Sequence, residues 1–270
     1  MKRLSAKATL LLLAPAWLLG GAVAGAAGGD GGKCAGPGDE SARMNAREEI
    51  HRSFRLDPGA RVSVDGIAGP VSITTGAGDR AEVHVVRMAQ TQRELDCYRT
   101  AVAGGGDALS VRHVQDSGRA GCDSIRSRQE VRLVVPRSVN VELSTIAGRV
   151  DIGAVDGNVS LESIAGHVAV AGARSADMGS LAGGLSLTLD PLAAGGVRVS
   201  SVVGPVDLTF RRGVDADVRV DSVMGSVRGV PAELDGRLIE EDGEYRLRIG
   251  SGGPAVKLSS VVGPVRLRRP

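Results

Sequence analysis

Residues 200–206 read SSVVGPV, and residues 259–265 read SSVVGPV again. Neither copy carries a general base or a metal ligand, so the repetition calls for an architectural reason rather than a chemical one. Aligned on one glycine, the chain contains six such units: LSTIAGRVDI at Gly148, LESIAGHVAV at Gly166, MGSLAGGLSL at Gly183, VSSVVGPVDL at Gly204, VDSVMGSVRG at Gly225 and LSSVVGPVRL at Gly263. A degenerate earlier copy, VDGIAGPVSI, carries Gly69. From Gly148 onward the glycines are 18, 17, 21, 21 and 38 residues apart. A period near 20 with strand-like content is the signature of stacked coils, in which no single repeat can bury its apolar face alone. The last spacing is close to two periods, as expected if the charged insert PAELDGRLIEEDGEYRLRIG stretches one repeat.

Apolar and polar residues alternate within each unit. Val150 and Ile152 point one way while Arg149 and Asp151 point the other, and Val159 and Leu161 repeat the pattern after an Asp156-Gly157 turn. Each coil is therefore expected to hold two short strands and two tight turns. The recurring glycine reads as a positive-φ turn residue. Three residues before it stands a hydroxyl in every main copy: Thr145, Ser163, Ser180, Ser201, Ser222 and Ser260. Stacked at about 4.8 Å, these predict a ladder of hydroxyls bonded to turn backbone or to one another. A row of catalytic serines is the alternative, but no histidine recurs with them to act as base.

The predicted fold class is all-β, a single-stranded parallel β-helix or β-roll-like solenoid with coils of ~20 residues. The six-residue apolar rule of left-handed β-helices is not kept, and the asparagine and helical return of leucine-rich repeats are absent. MNAREEIHR is the stretch most expected to be helical.

The first residues set the compartment. Lys2, Arg3 and Lys7 precede an uncharged apolar run that ends in small residues, with two A-x-A sites at Ala22–Ala24 and Ala24–Ala26. This is a secretory signal peptide by its construction; an uncleaved anchor is the alternative. Once it leaves, 33 Lys plus Arg fall to 30 against 31 Asp plus Glu. A near-neutral chain is a poor match for nucleic acid, which needs a concentrated basic surface. Trp17 leaves too, so Phe54, Tyr98, Phe210 and Tyr245 are the remaining aromatics. The interior must then be thin and filled with Val, Ile, Leu and Ala.

Cys97 and Cys122 flank a polar stretch between strand-like runs, and in an oxidising compartment such a pair is expected to close. Cys34 is the odd thiol. No cysteine or histidine spacing suggests zinc, and His51, His84, His113 and His167 share no spacing with carboxylates that would suggest a metal site, so no metal and no cofactor is expected. Asp215, Asp217 and Asp221 cluster carboxylates near one turn, and grouped acids are what a β-helical polysaccharide lyase or hydrolase would use. Their alternation with Val214, Val218 and Val220 also explains them as outward strand and turn residues.

The succession of T/S-I/V-x-G-x-V-x-V units, preceded by RSFRLDPGARVSVDGIAGPVSI and the strand-ending VRLVVP at 131–136, resembles the bacterial DUF4097 family over residues 50–270. The resemblance implies a parallel β-roll or β-helix in an envelope-associated, adhesin-like protein, with no catalytic residue to carry over. The expected organisation is a signal peptide (1–26), a Gly-rich linker (27–46), an N-terminal β region with a disulfide-bearing insert (47–137) and the repeat region (138–270), continuous with what precedes it. The expected function is non-enzymatic: a secreted, periplasmic or cell-surface protein that binds an envelope polymer or protein partner. No membrane span is expected after signal cleavage, and coils of two chains could stack end to end. A polysaccharide-active enzyme is the second reading.

Overall fold

The computed structural model describes residues 44–115, 122, 127–229, 238–241 and 244–269. Contacts divide the chain into Met1–Gly38 and Asp39–Pro270; the expected signal peptide, most of the linker and Cys34 lie outside the described residues. Among these, no helix is long and apolar enough to cross a membrane. The protein is all-β. Its strands are β1 (Ala46–Asp65), β2 (Val71–Gly76), β3 (Arg80–Ala89), β4 (Tyr98–Gln115), β5 (Ser127–Pro136), β6 (Asn140–Ala147), β7 (Val150–Ala154), β8 (Asn158–Ala165), β9 (Val168–Ala173), β10 (Ser175–Ala182), β11 (Leu185–Leu189), β12 (Val197–Val203), β13 (Val206–Phe210), β14 (Ala216–Met224), β15 (Val227–Gly229), β16 (Leu238–Glu241), β17 (Glu244–Ile249), β18 (Ala255–Val262) and β19 (Val265–Arg268). The described residues hold one helix, the five-residue α1 (Gln92–Asp96), started by a Thr91–Glu94 capping box.

The repeat strands fall into two parallel rows. One runs β2–β7–β9–β11–β13–β19–β15. The other runs β1–β6–β8–β10–β12–β18–β14. Long β1 connects them: its first half pairs antiparallel with β3, and its second half pairs parallel with β4 and β6. The inward Val, Ile and Leu of both rows merge into one hydrophobic cluster, with Phe210 the largest fully buried side chain.

Two expectations are corrected. MNAREEIHR does not form a helix; its tail opens β1, where outward His51 and inward Ile50 alternate and the strand is held by β3. Pairing to a neighbour outweighs the helix propensity of Ala, Arg and Glu here. The spacing of 38 is not a stretched coil either. The insert makes the antiparallel β16–β17 hairpin against one edge of β14, and the chain then returns to lay β18 between β12 and β14. The C-terminal repeat is thus intercalated, and the two SSVVGPV segments lie side by side with Ser200 opposite Ser259, Val202 opposite Val261 and Val206 opposite Val265. This answers why the chain writes the heptapeptide twice: the two copies are immediate neighbours and must present the same edge, the same bulge and the same apolar knobs.

The glycines line one corner of the stack. Gly69, Gly148, Gly166, Gly183, Gly204 and Gly263 donate in turn to Ala147, Ala165, Ala182, Val203, Val262 and Met224 carbonyls at 2.8–2.9 Å. Gly204 has φ 141°, and a Cβ there would lie 2.0 Å from the Gly183 carbonyl oxygen. Gly225 completes the column against Gly263. The residue after each glycine offers only its carbonyl to the ladder, as Pro205 does to Leu185 and Pro264 to Val206. That spares an N–H, which is why proline fits there.

At three of its six positions the expected hydroxyl ladder takes another form; the side chains of Ser201, Ser222 and Ser260 lie outside those described. Thr145, Ser163 and Ser180 sit at φ 54°, 56° and 53°. Their hydroxyls are exposed and make no hydrogen bond among the described residues. Each is a bulge: Val159 and Leu161 face inward two apart, and the extra residue at Ser163 lets Ile164 face inward again. The residue is there for its left-handed backbone, unusual for a side-chain-bearing residue and more so for β-branched Thr145.

Candidate binding face

Outward residues of the second row form cross-strand lines, because parallel strands in register place equivalent side chains about 4.8 Å apart. At the early end, the line is polar and self-satisfied: Asn140 donates to the Gly59 carbonyl, the Asn140 side-chain oxygen accepts from Asn158 N–H at 2.8 Å, and Ser175 donates to Asn158. Further along the stack the next line becomes cationic. Arg198 of β12 is opposite Lys257 of β18, Lys257 is opposite Arg219 of β14, and Arg219 is opposite Arg246 of β17. Arg248 lies one step along, opposite Asp217.

Three carboxylates answer part of this charge. Asp177 pairs with Arg198 at 3.2 Å, Asp217 with Arg248 at 2.9 Å, and Glu244 with both Arg219 at 2.5 Å and Arg246 at 2.6 Å. The hydrogen bond from Arg248, helped by the Gly253 N–H, holds the Asp217 carboxyl below the usual carboxylate range. The Arg246 hydrogen bond does the same for Glu244, with Arg219 adding to it. Lys257, between Arg198 and Arg219, has no ion pair among the described residues. A cavity of about 540 Å³ opens over this spot, lined by Lys257, Arg219, Arg246, Arg248, Asp217 and half-exposed Ile239.

Beyond the cation line runs an apolar one. Ala147, Ala165, Ala182, Val203, Val262 and Met224 are consecutive cross-strand neighbours. Val203, Val262 and Met224 are 59, 45 and 74% exposed, so the apolar edge is strongest on the strands that carry the cations.

The expected acids do not converge. Asp215 accepts from the Ser251 N–H at 3.0 Å and so closes the turn after β17. Asp217 and Asp221 project from the same face of β14 four residues apart, which is about 13 Å along a strand. Phe210 is fully buried, Phe54 and Tyr245 pack against the core, and Tyr98 rests against His113.

The N-terminal region is stapled separately. Cys97, directly after α1, is bonded to Cys122. Buried Arg87 donates to the Leu95 carbonyl at 2.6 Å, to the Tyr98 carbonyl and to Glu48, which docks α1 on the sheet. His113 pairs with Gln129 at 2.6 Å, and burial first, then the Arg87 charge, pushes its pKa down. His167 is exposed. The four histidines are expected to be isolated, and two of them are not: Glu49, His51 and His84 come together on the outer face of β1 and β3. The i, i+2 alternation of Glu49 and His51 was legible; the arrival of His84 needed the strand register.

No protein-family model matches this sequence, and no curated protein does. Among solved structures, it is similar to a "putative cell adhesion protein" from Clostridium sporogenes, at 11% identity over 83% of this chain and 100% of that one, with a TM-score of 0.41. A "putative adhesin" from Bacteroides fragilis is 14% identical over 82% of this chain and 97% of that one, with a TM-score of 0.33. A "putative lipid binding protein" from Parabacteroides distasonis is 11% identical over 83% and 98%, with a TM-score of 0.24.

Proposed function

We propose that this chain is an exported, non-enzymatic, adhesin-like β-solenoid that holds an extended anionic polymer of the cell envelope along the outer face of β12, β18, β14 and β17. The solenoid reading is supported by the parallel pairing of equivalent strands one repeat apart in both rows. Export is supported by the Cys97–Cys122 disulfide, which persists in oxidising compartments.

The observation that carries the binding reading is the cation line, in which Lys257 has no ion pair among the described residues. Like charges directly opposite one another across strands destabilise a sheet. Four in register are worth keeping where an anionic chain lies across them: they span about 14 Å at the strand spacing, and regularly spaced carboxylates or phosphates can follow that line. The near-neutral charge of the chain as a whole leaves this as a local patch, which steers an anion without making the protein a general polycation binder. The enzyme reading fits less well. Glycosidase acid pairs stand about 5–9.5 Å apart, closer than Asp217 and Asp221 can come on one strand. Asp217 is held ionised, the opposite of what a general acid requires.

The test is co-sedimentation of the full chain with a bacterial cell-wall fraction, with polygalacturonate and neutral dextran as defined probes. Binding to the anionic materials should weaken about tenfold or more in the Arg219→Glu, Lys257→Glu double variant and weaken with salt. Asp217→Asn with Asp221→Asn should leave it within a few-fold. Binding that survives charge reversal, or polymer turnover abolished by either aspartate change, refutes the proposal.

A further inference from the structure

The outer face of the β1–β3 pair carries a second site, remote in the fold from the cation line and independent of it. In β1, Glu49 and His51 are two residues apart and so share a face; in β3, His84 lies directly opposite His51. The two imidazoles stack with centroids 4.1 Å apart. Glu49 Oε2 sits between them, 3.4 Å from His51 Nε2 and 3.5 Å from His84 Nε2. Its other oxygen, Oε1, is taken by Arg47 at 2.5 Å. His84 Nε2 is shielded from solvent, and 3.5 Å is too long for a hydrogen bond, so this nitrogen lacks a hydrogen-bond partner among the described residues. All three donor atoms lie within 4.8 Å of one another.

We propose that Glu49, His51 and His84 bind one first-row divalent transition ion of the zinc type. Zinc holds imidazole nitrogen and carboxylate oxygen at about 2.0–2.2 Å in a tetrahedron, whose edges are then about 3.3–3.6 Å. The two Glu49-to-imidazole separations already have that length, so the carboxylate needs no large movement. The imidazoles must unstack slightly to bring both Nε2 lone pairs onto the ion, which His51 is free to do because it is exposed. Arg47 on the far carboxylate oxygen fixes the ligand's orientation in the way outer partners of metal-bound carboxylates do. Two imidazoles and one carboxylate select zinc, copper or nickel over magnesium and calcium, which prefer all-oxygen shells. Three protein ligands leave a fourth position open to water or to a donor from outside the chain.

The experiment is isothermal titration of zinc chloride into tag-free full chain carrying Cys34→Ser, so that the odd thiol cannot supply a ligand. One zinc should bind per chain, magnesium should not compete, and cobalt(II) should show visible d–d bands in the same protein. His51→Ala and His84→Ala should each weaken zinc binding by at least the roughly 10–100-fold that loss of an outer-shell partner costs, while His167→Ala leaves it unchanged. His51→Gln, the closest in shape, provides the same test should an alanine variant lose its far-UV β spectrum. Absence of zinc binding, or binding undiminished in the histidine variants, overturns the proposal.

Discussion

Gly204→Ala places a methyl group at the tightest corner of the stack. The new Cβ would lie 2.0 Å from the Gly183 carbonyl oxygen and 2.6 Å from its carbon, both backbone atoms that cannot rotate away. At φ 141° the residue also occupies a region that side-chain-bearing residues avoid, at a cost of about 1–3 kcal/mol. Relieving the clash separates the two neighbouring segments where Gly183 donates to the Val203 carbonyl and Leu185 to the Pro205 carbonyl, at 2.8 and 2.9 Å. Losing those two bonds adds about 1 kcal/mol each. The sum is about 3–5 kcal/mol, or about 6–20 °C in thermal midpoint for a chain of this size. Gly213→Ala is the matched control, since Gly213 also has positive φ, 80°, but a Cβ there meets nothing within 4 Å. It should cost only the backbone term, about 1–2 kcal/mol. Both changes lower unfolded-chain entropy alike, by about 0.4–1 kcal/mol, so their difference is unaffected. Thermal and guanidinium unfolding of the three proteins decides the matter. Equal midpoints for Gly204→Ala and Gly213→Ala would refute the claim that coil-to-coil contact, rather than φ alone, demands the glycine.

Peptide mapping without reduction should find Cys97 joined to Cys122, and Cys97→Ser should lower stability by about 3 kcal/mol for a separation of 25 residues. Stability should also fall in acid. Asp217 and Glu244 titrate below their ordinary values in the folded state, so their contribution is present above the ordinary carboxylate range and is lost as pH falls through and below about 4. Asp217→Asn with Glu244→Gln should flatten that part of the thermal-midpoint profile, and added salt should shrink it, because both groups are partly exposed.

The amino-acid sequence alone determined the all-β class, the inward alternation of Val150, Ile152, Val159 and Leu161, and the pairing of Cys97 with Cys122. Each is a local or periodic property: a side chain's face follows from its place in a period of two, and a glycine column from seven glycines in one frame. It did not determine which coil lies beside which. Parallel strands of similar sequence offer interchangeable edges, so spacing could not reveal that the strand before Gly263 enters between those before Gly204 and Gly225; the β16–β17 hairpin decides it by occupying the far edge of β14. The line of Arg198, Lys257, Arg219 and Arg246 exists only in that intercalated order. The meeting of His84 with Glu49 and His51 likewise depends on antiparallel register. One residue of slip would send His84 to the opposite face of the sheet, which is why tertiary structure alone could place it.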